Sequence, residues 1–259
     1  MVVDVPLVHE HPLVVVAPIQ RPPRIWKFWG TTLWGLFIFA AMFAGQIAVV
    51  VWFVLRRDGP FDMASSIQVV GGGLTISLSV IMGLPAVAAA CWIAIRFSRT
   101  PFAEYLALRW TSWKNFALGL GALVLLVTGW DLLSRMLGRE ITPGFMGDVL
   151  KSAQADGALW LLVIAFCVAA PMSEEFFARG FLYRGWSESS LRPAGAIILS
   201  SLAWTSLHLQ YDWFFFGEVF SIGLLFGYLR YRTNSTWLTV VLHGLNNLAA
   251  TVQSIVLTN

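Results

Sequence analysis

The sequence predicts an all-α bundle of membrane-spanning helices, and three observations carry that prediction. Mean hydropathy is +0.72 and 58% of the residues are hydrophobic. Only 12% are charged, against roughly a quarter in soluble domains. Apolar runs of about 20 residues, the length that crosses a bilayer, recur along the chain with short connections between them, so its 259 residues read as one integral membrane domain.

In order, residues 1–25 read as a loose tail. They carry Pro6, Pro12, Pro18, Pro22 and Pro23, and Asp4 and Glu10 stand where a secretory signal would be basic. His9 and His11 belong to that tail and not to a ligand set. The membrane domain, 26–259, divides into seven predicted spans within a range of six to eight: 30–55, 72–95, 116–133, 159–183, 193–209, 213–229 and 237–257. The fourth is interrupted by Pro171, which predicts a broken or kinked helix there, and the fifth is short. Segment 97–114 mixes aromatic and basic residues, and reads equally as an interfacial amphipathic helix or an ordinary basic loop. Eleven lysines and arginines flank the spans on the side of the N-terminus against five on the other, which places the N-terminus in the cytoplasm. The net charge of +3 and pI near 9.1 follow from that topology and imply no nucleic-acid partner. Cys91 and Cys167 sit in apolar runs as small hydrophobes.

Against this background the polar residues of the last four spans stand out. Ionisable groups at bilayer depth cost roughly 2.5–3.5 kcal/mol each on insertion scales, so Glu174 and Glu175, adjacent in an apolar stretch, imply a use. Arg179 lies four residues after Glu175, the favourable order for a helical ion pair, which leaves Glu174 as the carboxylate without a local partner. His208 and His243 fall in two other spans of the same half. Ser235, Thr239, His243, Asn247 and Thr251 recur every four residues and form one polar stripe on a helix, facing protein or a wet cavity. Ser201, Thr205 and His208 make a shorter stripe. A dry carboxylate that takes a proton from water, a histidine that shares it, and a histidine–amide pair that stabilises an oxyanion are the parts an amide hydrolase needs. An ionic staple between helices is the bland reading of the same residues, and Glu218 in the sixth span reads as lining the cavity or binding His208 or an arginine, packing ranking above catalysis.

The motif Glu174-Glu175-Phe176-Phe177-Ala178-Arg179, followed by Trp204-Thr205-Ser206-Leu207-His208 and then His243-Gly244-Leu245-Asn246-Asn247, resembles the three ordered motifs EExxxR, FxxxH and HxxxN of the CAAX-protease and bacteriocin-processing (Abi) family. That family includes the Ras-converting endopeptidase, and the resemblance spans about 157–255. It implies an intramembrane endopeptidase acting on a membrane-associated, hydrophobic or prenylated peptide or protein in a bacterial plasma membrane. It further implies Glu174 as general base beside His208, His243 with Asn247 as the oxyanion site, and Glu175 with Arg179 supporting the first helix. The departure is Trp204, where the motif usually has phenylalanine, and the larger indole is expected to narrow the pocket.

No HExxH is present, so a metal-free glutamate mechanism is favoured, with zinc on Glu174, His208 and His243 as the alternative. A non-catalytic binding, immunity or chaperone-like protein using the same cavity is the alternative function, and a proton-coupled transporter a third, against which the chain shows no repeated halves. Depth is the obstacle. His208 lies about 22 Å along its helix and His243 about 12 Å along its own, so the motifs meet only if the fourth span is interrupted near Pro171.

Overall fold

A computed structural model describes residues 24–56, 62–142 and 144–258, and the 1–23 part of the predicted tail, with His9 and His11, lies outside them. Among the described residues there is no strand. The chain runs through α1 (Phe28–Arg56), α2 (Met63–Gly71), α3 (Gly73–Ser98), α4 (Phe102–Tyr105), α5 (Trp113–Met136) and α6 (Gly144–Ala155). It continues through α7 (Leu159–Ser187), α8 (Arg192–Thr205), α9 (Trp213–Thr233) and α10 (Thr236–Thr258).

Five helices, α1, α3, α5, α7 and α9, are long and apolar enough to cross a bilayer, and the protein is an integral membrane protein. Two of the seven predicted spans do not meet that standard. Helix α8 has 14 residues, about 21 Å of rise, against a hydrocarbon core of roughly 30 Å. Helix α10 has the length at 23 residues but carries the polar stripe.

The five spans are not equivalent. Only 11% of the apolar window of α1 or α5 is buried inside the protein, whereas half of that of α7 is. Helix α7 is thus the central element, ringed by α1, α3, α8, α9 and α10, and its Phe176, Phe177 and Phe181 fill the core with Ile38, Val87 and Phe226. Lipid tails are as apolar as leucine, so close packing and interhelical hydrogen bonds hold such a bundle together.

Of the break or kink expected at Pro171 the break is absent, because α7 solves the proline problem by widening. Residues Ala165–Ala169 form a π-helical turn in which the Ala170 N–H bonds back to Ala165 O, five residues away. Pro171 then lies in the first turn of a fresh α-helical segment, Ala170–Glu175, a position where its missing N–H is tolerated. A second π segment, Phe176–Leu182, follows directly after Glu175, and the Tyr183 N–H bonds to Ala178 O in the same pattern. Helix α7 therefore continues unbroken through the carboxylates.

Segment 97–114 is neither of the two forms expected for it. After α3 ends at Ser98 and the single turn α4, the chain inserts Tyr105, Leu106 and Ala107 into the core. There it caps α10: Thr236 N–H donates to Ala107 O at 3.0 Å, and the Thr236 and Ser235 hydroxyls donate to Leu106 O and Arg109 O, each at 2.5 Å. At the other membrane face Asp212 caps α9, accepting from the Phe214 and Phe215 N–H groups at 2.8 and 3.1 Å and pairing with Arg139.

Candidate functional site

Consecutive residues on a helix point about 100° apart, and α7 uses that angle to give its two glutamates different surroundings. The Glu175 side chain is fully buried, whereas that of Glu174 is 16% exposed and lines a cavity of about 370 Å³. The predicted ion pair forms: Arg179 Nη1 donates to Glu175 Oε1 at 2.9 Å, with neither side chain exposed. Arg179 Nη2 donates to Gly223 O on α9 at 3.0 Å, and the guanidinium lies 4.5 Å from the centroid of Trp204 and 5.6 Å from that of Phe226. Its fork thus ties α7 to α9 and braces the aromatic wall of the cavity.

The polar stripe of α10 faces inward as expected, with Ser235, Thr239, His243 and Thr251 buried. His243 reaches both glutamates. Its Nδ1 is 3.1 Å from Glu175 Oε1, and its Nε2 is 3.9 Å from Glu174 Oε2. A carboxylate paired with arginine only accepts, so Nδ1 carries the proton and Nε2 is the basic atom of the neutral ring. His208, in the 3₁₀ turn Ser206–His208 that ends α8, follows the same logic, because its Nδ1 lies 3.4 Å from the carbonyl of Trp204. Its ring packs edge-on against Trp204 at 5.3 Å and lines the cavity.

Asn247 and His243 were expected to offer two donors to one oxygen, but each has a partner already. Asn247 Nδ2 donates to Phe166 O on α7 at 2.8 Å. That carbonyl is an orphan of the π turn: Ala170 N–H is spent on Ala165 O, and Pro171, the next candidate donor, has no N–H. Arg230 does the same service for the second π segment, where its Nε donates to Arg179 O at 3.1 Å. One amide hydrogen of Asn247 and Nε2 of His243 stay uncommitted, and both residues line the cavity. Gly244 sets the approach of α10 to α7. A Cβ there would stand 2.5 Å from Cys167 O, the carbonyl four residues before Pro171 that a proline ring crowds in a regular helix.

Trp204 enters the site by a route its expected role as a wall did not include. Its indole Nε1 donates to Glu174 Oε2 at 2.5 Å. Also unforeseen is a second polar group lining the same cavity, where Asp131 of α5 accepts from Gln253 of α10 at 3.0 Å and Glu218 of α9 is a further lining residue. Asp131 lies inside an apolar span, and that position was the available signal for it. Glu218 lines the cavity. Among the described residues no three His, Cys, Asp or Glu side chains form a group that could hold a metal ion.

Residues 156–249 match the family model for the Rce1-like type II CAAX prenyl endopeptidases. No curated protein and no solved structure matches the chain.

Proposed function

The chain belongs, through residues 156–249, to the family of CAAX-type intramembrane proteases, and on that premise we propose that it is an intramembrane endopeptidase of the glutamate type, acting on a membrane-tethered or hydrophobic peptide presented to the cavity. The observation that carries the reading is the 3.9 Å gap between Glu174 Oε2 and His243 Nε2. It is too long for a direct hydrogen bond, yet one water about 2.8 Å from each atom fits between them.

In this mechanism Glu174 removes a proton from that water while His243 Nε2 accepts its other hydrogen, and the oxygen attacks the scissile carbonyl carbon. Glu175 holds the His243 tautomer through Nδ1, so its contribution is made through the imidazole. The free amide hydrogen of Asn247 meets the oxyanion. Collapse of the tetrahedral intermediate breaks the C–N bond as the proton held by Glu174 passes to the leaving nitrogen, with His208 Nε2 facing the same cavity as a relay. His243 thereby moves from the oxyanion position to the water.

The site needs no metal in this scheme, the N-terminus lies in the cytoplasm, and the membrane is a bacterial plasma membrane. The test compares wild type, Glu174→Gln and His243→Ala in proteoliposomes on prenylated and unprenylated peptides, with and without a strong chelator. Loss of cleavage in both variants and indifference to the chelator are expected. Equal cleavage by all three proteins would move the assignment to the binding-protein alternative, and chelator inactivation reversed by zinc would end the metal-free scheme.

A further inference from the structure

We propose that Trp204 is a positioning residue for Glu174, its indole N–H fixing Oε2, the carboxylate oxygen that shares the water with His243 Nε2. The inference rests on the reading of Glu174 as the base. Indole has a single polar atom, a donor, and Trp204 spends it on Glu174 Oε2. A hydrogen bond to a carboxylate is charge-assisted and among the stronger kinds, and Trp204 is only 2% exposed, so no bulk water competes for it. The oxygen it holds is the same one that stands 3.9 Å from His243 Nε2. Indole N–H and the water shared with the imidazole therefore converge on one atom, and the N–H sets the position of the oxygen that takes the proton.

Every neighbour of the indole fixes its angle. Arg179 lies over one face. His208 and His243 pack against it in T-shaped contacts at 5.3 and 5.2 Å, and Phe226 lies at 6.2 Å. Behind it Gly223 leaves the space that a Cβ, 3.1 Å from Cε3, would take away. Trp204 thus touches a polar residue from each of the three motifs, and only the link to Glu174 is a hydrogen bond from its side chain. Glutamate has three side-chain torsions to fix, and a carboxylate facing an open cavity without a donor samples several rotamers. A phenylalanine here keeps the wall and loses the anchor.

The experiment replaces position 204 in the full-length protein. Trp204→Phe removes the N–H together with part of the ring, and 3-benzothienylalanine, incorporated at this site alone, exchanges the N–H for sulfur at nearly constant shape. Glu174→Gln is the control for the underlying reading. Misplacing a catalytic group by about 1 Å costs on the order of 100-fold, so kcat is expected to fall by about 10- to 100-fold in both Trp204 variants, with KM within about twofold of wild type. 5-Fluorotryptophan, which keeps the N–H, restores kcat, and the benzothienyl protein melts at the wild-type temperature. Wild-type kcat in the benzothienyl protein, with Glu174→Gln inactive, overturns the positioning role alone and leaves Trp204 as a wall. Wild-type cleavage by Glu174→Gln overturns the glutamate mechanism, and this inference with it.

Discussion

The contact between Asn247 and Phe166 O gives a quantitative handle on how this chain accommodates a proline beside its carboxylates. Replacing Asn247 by leucine keeps the volume and removes the donor, leaving Phe166 O without either backbone partner, since Ala170 N–H is bonded to Ala165 O and Pro171 has none. A buried acceptor stripped of its partner costs about 1–3 kcal/mol, and this bond is part-buried, which puts the loss in the lower part of that range. Asn247 also lines the cavity, so Asn247→Ala opens a path for water to the same carbonyl and falls at the low end of that range. Thermal unfolding in detergent measures both, and leucine is expected to be the worse of the two although it is the better packed. Pro171→Ala returns an N–H at the position where the π pattern directs it to Phe166 O. In the double variant Pro171→Ala/Asn247→Leu, the loss caused by leucine should therefore shrink by at least about 1 kcal/mol relative to its value in the Pro171 background. Strictly additive effects, or an Asn247→Leu protein that melts like wild type, would refute the account of Asn247 as the partner of an orphaned carbonyl.

Other perturbations test other joints. Arg179→Lys cannot serve Glu175 and Gly223 O with one compact ammonium, and a broken buried pair costs about 3–5 kcal/mol, so a sharp drop in folded yield is expected that Glu175→Gln/Arg179→Met partly reverses. Gly244→Ala sets a methyl 2.5 Å from a backbone oxygen that no side-chain rotation can clear; overpacking of about 1–3 kcal/mol should lower the melting temperature and, through the neighbouring His243, kcat. Asp212 is held below the ordinary carboxylate range first by the Phe215 N–H, then by the Phe214 N–H and Arg139. A depressed folded-state value means that its contribution is complete above the unfolded value near 3.9 and is lost as pH falls through the folded one. The melting temperature of Asp212→Ala should accordingly trail wild type at neutral pH and converge on it in acid, and a gap that stays constant down to pH 2 would rule this cap out as the cause.

How much of this was legible in the sequence depends on whether the interaction is local. The Glu175–Arg179 pair is an i,i+4 contact, and the α10 stripe is a period of four on one helix; both follow from helix geometry whatever surrounds them. Trp204 to Glu174 and Asn247 to Phe166 bridge 30 and 81 residues, and helical periodicity says nothing of which partner such a side chain meets. The π turns were illegible for a related reason. A turn of i→i+5 bonds is poor in isolation and persists here where side chains of other helices, Asn247 and Arg230, satisfy the carbonyls it frees. Segment 97–114 reads by composition equally as an interfacial helix or a basic loop, yet its backbone carbonyls are the acceptors that Ser235 and Thr236 need at the start of α10.

Pro171 ties these observations into one causal chain. A proline three residues before Glu174 forbids a regular helix there, and breaking α7 inside the bilayer would strand several polar backbone groups, each costing several kcal/mol. The π turn confines the deficit to one carbonyl, and the amide that serves it belongs to the same helix, one turn along, as the histidine that meets both glutamates. Gly244, between the two, lets that helix come close enough for both contacts. The features that first looked like separate puzzles, a proline in a span and two adjacent carboxylates, are thus one arrangement: the defect introduced by Pro171 is what docks α10 against α7 and brings His243 level with Glu174 and Glu175.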